Sequence, residues 1–389
     1  MGELDLIKFV LYYNLDIFLE VFRGEIQIRM ENRDTADNGF SLILKHRYVI
    51  MGIAAIWIHV FHVYIPVFHS PTNGLTLFLG NIEEFIRRMG YCGVEVFLLI
   101  SGMGLTYAIK KGSVATFYKR RLRRIFLPYL LITLIRWAID KWTVLTFLEN
   151  ITGFSFYAEN IHFFCWFIPA IASIYLVFPL YYKIFSKAKN KLLFTALSIL
   201  LWFLLTFLAG GFLRYDIYEF TNRIPIFLIG IYFGELSQDK NKSKFTIKHY
   251  LLLLAAFVSG VILAYLYNYT DFILLIPNGK TFVPNVLISL SLSFLVAIIM
   301  DKLDQHLPKL GRIINGIISF WGKMSLEVYC AYICFLIPYF LIVVRFLGSL
   351  KLPIFVINIV VFLIASCIAF LISLVCNSII KFIERPKKN

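Results

Sequence analysis

Long apolar runs recur along almost the whole chain, separated by short segments rich in Lys and Arg. A membrane-spanning helix needs ~20 mostly apolar residues to cross ~30 Å of hydrocarbon. Runs of that kind fall at about 46–66, 91–109, 125–147, 163–185, 192–213, 223–236, 249–269, 284–301, 324–346 and 353–380. The sequence therefore predicts an all-α fold, a polytopic transmembrane helical bundle of about ten spans. The run at 223–236 is short, so it is expected to be tilted, kinked or shielded by protein. Composition agrees, because 60% of the 389 residues are hydrophobic and 16% are charged. Soluble domains carry about a quarter charged residues.

The net charge of +15 raises nucleic acid as a partner. The basic residues instead lie in short loops between apolar runs, a pattern of membrane topology and lipid electrostatics. Lys110, Lys111, Lys119, Arg120, Arg121, Arg123 and Arg124 follow the second run. Lysines at 183–191, 240–248 and 302–323 mark further loops on the same side, and Lys381 to Lys388 mark the last. The opposite loops carry only scattered cations, such as Arg87, Arg214 and Lys280. The expectation is a multi-pass protein of the cytoplasmic membrane, with both ends of the core in the cytoplasm, lipid as a partner and no nucleic acid. Residues 1–44 do not fit this pattern. Asp5, Lys8, Asp16 and Glu20 interrupt their apolar stretch, which reads as an interfacial helix or an extension upstream of a start at Met30. The core is expected over 45–387, with 388–389 as a tail. Six cysteines, mostly inside apolar runs and without a CxxC pair, predict neither disulfides nor a metal site.

Two runs carry polar groups suited to chemistry. In Lys45 to Pro66, KHRYVIMGIAAIWIHVFHVYIP, only His59 and His62 interrupt the apolar residues after Arg47. They are three apart and share a helix face. Imidazole inside a membrane is costly unless it faces protein or water, and it is well suited to moving protons near neutral pH. The structural alternative is a bridge to a neighbouring helix. In Met89 to Ile109, MGYCGVEVFLLISGMGLTYAI, Glu95 sits near the start of an apolar helix. Consecutive spans are antiparallel, so Glu95 and His62 are expected at similar depth. A carboxylate there would orient the imidazole and raise its basicity, or would tie two helices together. Gly102 and Gly104 permit close helix packing, and Ser101 can hydrogen-bond across helices. Arg120 with Arg123, and Arg121 with Arg124, also share helix faces. Planar guanidinium forks suit phosphate, and plain anchoring to anionic lipid is the alternative.

Taken in order, these segments resemble the acyltransferase-3 family of bacterial integral-membrane O-acyltransferases. GYCGVEVFLLISG (90–102), FYKRRLRRIFLPYLL (117–131) and HFFCWFIPAIASIYLVFPLYY (162–182) are similar to family segments. RIPIFLIGIYFG (223–234), GKMSLEVY (322–329) and IERP (383–386) are similar as well. The resemblance covers about 45–387 and places the family's catalytic His at His62. It departs in two places. The Arg that the family carries ahead of that His falls on Met51, one turn after Arg47, and a common His position holds Tyr332.

The resemblance implies transfer of an acyl group, acetyl above all, from coenzyme A to a hydroxyl of a surface-directed carbohydrate. Acetyl-coenzyme A is then the donor, and no cofactor is held tightly. His62 would be the general base or carry the acyl group transiently, with Glu95 orienting it. Arg47, Arg120, Arg121, Arg123 and Arg124 would hold donor phosphates. His59, Ser101, Trp166 and Glu327 are expected to line the pocket. The competing reading is a saccharide transporter or flippase using His and Glu as a proton relay. A proton-coupled carrier does not need the arginine cluster, so saturable coenzyme A binding separates the two. A glycan polymerase would carry a large outer loop, and the loops here are short.

Overall fold

A computed structural model of the chain describes residues 39–68, 73–158, 165–209, 215–239, 245–270, 279–333 and 337–384. These residues form helices and no strand. In order they are α1 (Ser41–Lys45), α2 (Arg47–Val63), α3 (Gly74–Arg88), α4 (Gly93–Ile109), α5 (Val114–Asp140), α6 (Val144–Ile151) and α7 (Phe154–Ala158). Then come α8 (Phe167–Lys187), α9 (Lys191–Leu208), α10 (Tyr215–Thr221), α11 (Ile224–Leu236) and α12 (Ile247–Tyr269). The last are α13 (Gly279–His306), α14 (Pro308–Lys323), α15 (Ser325–Ala331), α16 (Ile337–Ser349) and α17 (Ile354–Glu384). A tight turn of 3-10 helix, Met89–Cys92, joins α3 to α4.

The bundle fits a membrane protein, but ten spans overstate what the described helices support. Six stretches are long and apolar enough to cross: Gly74–Ile109, Phe167–Lys187, Lys191–Leu208, Ile247–Tyr269, Phe282–His306 and Ile354–Ile383. Arg47–Val63 and Tyr339–Ser349 are apolar but shorter. The run expected at 324–346 opens as α15 and is helix again as α16, with residues 334–336 between them outside the described residues. Residues 67–90, between the first two expected spans, are largely helix. Asn73 is its N-cap, and its side chain accepts a hydrogen bond from the Thr76 N–H at 2.9 Å. Residues 39–44, set before the expected core boundary, pack onto the bundle. The Phe40 ring lies 5.0 Å from Phe233 and 5.8 Å from Phe294, and Ile43 is buried. The expected interfacial stretch Asp5–Phe22, most of the Lys240–Lys248 loop, Cys334 and the end of the IERP segment lie outside the described residues.

The middle of the bundle is set by backbone-to-backbone contact. α11, the short run, is buried along most of its length, at Pro225, Ile226, Phe227, Leu228, Gly230, Ile231 and Gly234. It lies parallel to α4, with Gly230 against the Leu99 carbonyl and Gly234 against Met103. A Cβ at Gly230 would collide with that carbonyl. This is close helix contact of the small-xxx-small kind. Gly230→Ala must push α4 and α11 apart. We expect it to cost about 1–3 kcal/mol, as overpacking does, and to lower the thermal unfolding temperature of the purified protein. An unchanged unfolding temperature would show that the crossing is loose. α2 crosses α14 in the same close manner, with Gly322 against the Tyr48 carbonyl and Gly52 against that of Ile318.

These contacts fix two ends. Gly93 faces Ala54 and Ile58 while Gly90 faces Trp57 and Phe61, so α4 runs antiparallel to α2. The start of α2 and the ends of α4 and α11 therefore share one end of the bundle. There Glu235 accepts from Lys110 at 2.8 Å, Lys191 at 2.7 Å and the Tyr182 hydroxyl at 2.7 Å. Lys45 pairs with Asp301 nearby. We call this the basic end. His62, Glu95 and Arg223 lie toward the opposite end.

Candidate functional site

Two polar centres lie away from the basic end, joined by aromatic rings. The first is built on the last turn of α2. Its exit is held from two sides. Arg87 donates to the Phe61 carbonyl at 3.0 Å, and Trp57 Nε1 to that of Ile86 at 2.8 Å. Beyond the helix, the Asn358 side chain takes the Ile65 N–H at 2.9 Å and donates to the Ile65 carbonyl at 2.8 Å. His59 and His62 then face the residue that follows α15, Tyr332. The His62 ring stacks on Tyr332 with centroids 5.4 Å apart and planes at 30°. His59 meets the same ring edge-on at 6.4 Å and Phe362 at 5.1 Å. His59 is 4% exposed, whereas His62 is exposed.

The second centre is built around Glu95, in the first turn of α4 and 3% exposed. The expected Glu95–His62 contact is not formed. The carboxylate lies 3.2 Å from Arg223 Nε and accepts from Asn285 Nδ2 at 3.1 Å. Cys92 Sγ donates to Asn285 Oδ1 at 3.2 Å, and Arg223 Nη1 also meets Glu219 at 2.8 Å. The Arg223 guanidinium lies 5.1 Å from the Trp166 ring centre. Depth was legible for Glu95, but its neighbour was not: α11, lying parallel to α4, brings Arg223 to the carboxylate. Sequence reasoning missed Arg223 and Asn285. The signals were an Arg directly ahead of the Pro-started run RIPIFLIGIYFG and a lone amide leading the run NVLISLSLSF.

Trp166 also links the centres. Its ring lies 5.8 Å from Phe167, Phe167 lies 5.4 Å from Tyr329, and Tyr329 lies 5.7 Å from Tyr332. The Phe167 N–H donates to the Tyr329 hydroxyl at 3.3 Å. Of the expected pocket residues, His59 and Trp166 thus share one connected assembly with His62 and Glu95.

The expected donor-binding residues gather at the basic end. Ser113 caps α5 by accepting from the Thr116 N–H at 3.2 Å, so the basic run lies on a helix. Arg124 Nη2 donates to the Lys323 carbonyl at 2.6 Å, and Nη1 lies 3.3 Å from Glu327, which is 1% exposed. The Lys323 ammonium lies 5.9 Å from the Tyr48 ring centre, and the Arg47 guanidinium lies 4.6 Å from it. Arg47 and Lys323 thus converge on Tyr48, and Arg124 of α5 reaches the Lys323 backbone from another helix. Arg121 lies 5.8 Å from the Tyr175 ring, whose hydroxyl bonds Ser101 at 2.6 Å. Arg120 is exposed, and Arg123 is half-buried. Glu327 and Ser101 therefore sit beside the arginines rather than with His62. Among the described residues no group of three His, Cys, Asp or Glu side chains could hold a metal ion, and no disulfide forms.

Compared with known proteins, residues 49–378 match one family model, described as an acyltransferase domain and numbered 3 among the acyltransferase families. No curated protein and no solved structure matches the chain.

Proposed function

The chain belongs to the acyltransferase-3 family, and from that premise we propose that it moves an acetyl group from acetyl-coenzyme A to a hydroxyl of a surface-directed carbohydrate. The observation that carries this reading is α2 itself. It bears Arg47, within the basic convergence, at one end and the His59–His62 pair at the other. The separation along the helix is about 22 Å at 1.5 Å per residue. A donor anchored by phosphates at Arg47, Lys323 and Arg124 would extend along α2 toward the histidines. Arginine forks donate two hydrogen bonds to a phosphate, and coenzyme A carries several phosphates.

A hydroxyl is a weak nucleophile at neutral pH and needs a base. His62 is the group for it: an exposed imidazole, held in place by a ring stack. Glu95 contributes by fixing Arg223, and through it Trp166, beside the histidine assembly. The basic end faces the cytoplasm in this reading, where its cations meet anionic lipid and the donor.

Mass spectrometry of surface glycans from a deletion strain and its complemented partner tests the reading. An acyl-sized mass difference is expected, and identical glycans would remove it. The donor half is tested separately. Replacing Arg120, Arg121, Arg123 and Arg124 by Gln should raise the donor KM at least tenfold, with little effect on the acceptor KM. Topology must be checked in the same variant, because lost cations disturb insertion. An unchanged donor KM with intact topology would reduce these arginines to lipid anchors.

A further inference from the structure

Tyr332 is 1% exposed, and its hydroxyl finds no hydrogen-bond partner among the described residues. A second buried polar atom without a partner, His59 Nδ1, belongs to the imidazole that meets the same tyrosine ring edge-on. Buried polar groups are nearly always paired, so each exception needs an explanation. Here two exceptions flank one ring, and the exposed His62 imidazole stacks on that ring. Tyr329 next to it has a backbone partner for its hydroxyl, so an aromatic here does not lack a bond by default.

We propose that Tyr332 is a catalytic residue whose hydroxyl donates to the carbonyl oxygen of the acyl group during transfer. The inference rests on the acyl-transfer reading above. The acceptor hydroxyl oxygen forms a bond to the thioester carbonyl carbon while His62 takes its proton. The carbonyl π electrons move onto oxygen, and the resulting oxyanion is held by the Tyr332 O–H. Collapse restores the C=O bond and breaks the carbon–sulfur bond. The proton on His62 passes to the departing thiolate, so ester and free thiol are the products. A preset donor aimed at developing charge is worth most in a site that excludes water. The stacked His62 ring keeps the base and the donor in one fixed relation.

A ring that only packs is the competing role, and Tyr332→Phe separates the two. Phenylalanine keeps the stack and removes only the oxygen that has no partner. Purified protein is assayed with acetyl-coenzyme A as donor and glycan extracted from a deletion strain as acceptor. We expect kcat to fall about 10²–10³-fold, as for loss of one oxyanion donor, with the donor KM within about twofold and the unfolding temperature unchanged or raised. Tyr332→His, which keeps a donor, should recover part of kcat. Wild-type kcat in Tyr332→Phe overturns the inference. So does failure of Tyr332→Phe to fold, because the hydroxyl would then have a structural partner. The same assay run on wild type and His62→Ala isolates the underlying reading. If wild type does not transfer, both fall. If wild type transfers, His62→Ala does not and Tyr332→Phe does, only the tyrosine inference falls.

Discussion

His62→Ala should abolish glycan acylation while the protein stays folded and inserted. Loss of a general base costs about 10²–10⁴-fold, which in a strain complementation is an all-or-none difference. The structure separates the two histidines by what they can reach. His59 is buried and its ring packs edge-on against Tyr332 and Phe362. His62 is exposed, its ring open to an incoming hydroxyl on the side away from Tyr332 in this reading. Removing its ring leaves no buried cavity, so the loss is chemical. His59→Ala removes a packed ring and should lower stability, yet leave measurable acylation. The check is mass spectrometry of surface glycans from strains carrying each variant, with protein matched by immunoblot. Near-normal acylation with His62→Ala would end the assignment of His62 as base. Loss with His59→Ala at equal abundance would move the role to the buried histidine.

What the sequence made legible follows from which physics is local. Apolar length and the placement of Lys and Arg depend on neighbours along the chain, so the membrane class and most helices could be read directly. The shielding of 223–236 was readable too, because thirteen residues of α11 are too few to span unaided. α14 was missed because only Gly311, Ser319 and Gly322 of it are buried, a face without large apolar residues.

Glu95 shows the same limit inside the site. Helix periodicity gives the face a residue occupies and span counting gives its depth. Neither says which helix lies against that face. The Gly102–Gly230 contact seats α11 there, so the carboxylate meets Arg223. Conversely, Arg47 and Arg124, from separate helices, are joined through Tyr48 and Lys323, and the sequence did not single out Tyr48.

Arg223→Met should be the most destabilising of the substitutions considered. The Arg223 and Glu95 side chains are each 4% exposed, and the guanidinium also meets Glu219. Breaking a buried ion pair by removing one partner costs about 3–5 kcal/mol, because the remaining charge stays buried without compensation. Methionine fills much of the space, so the loss is electrostatic rather than a cavity. Glu95→Gln should cost less, since Arg223 keeps Glu219 and Gln can still bond Asn285. The decisive comparison is the double variant. With both charges gone, Arg223→Met/Glu95→Gln should be more stable than Arg223→Met alone, a coupling that additive, independent sites would not give. Heating purified protein in detergent and measuring the folded fraction reads all four species. A wild-type unfolding temperature for Arg223→Met, or a double variant no better than the single, would show that the pair does not hold α4 to α11. Lost acylation in the double variant, with stability regained, would then separate a chemical duty of the pair from its structural one.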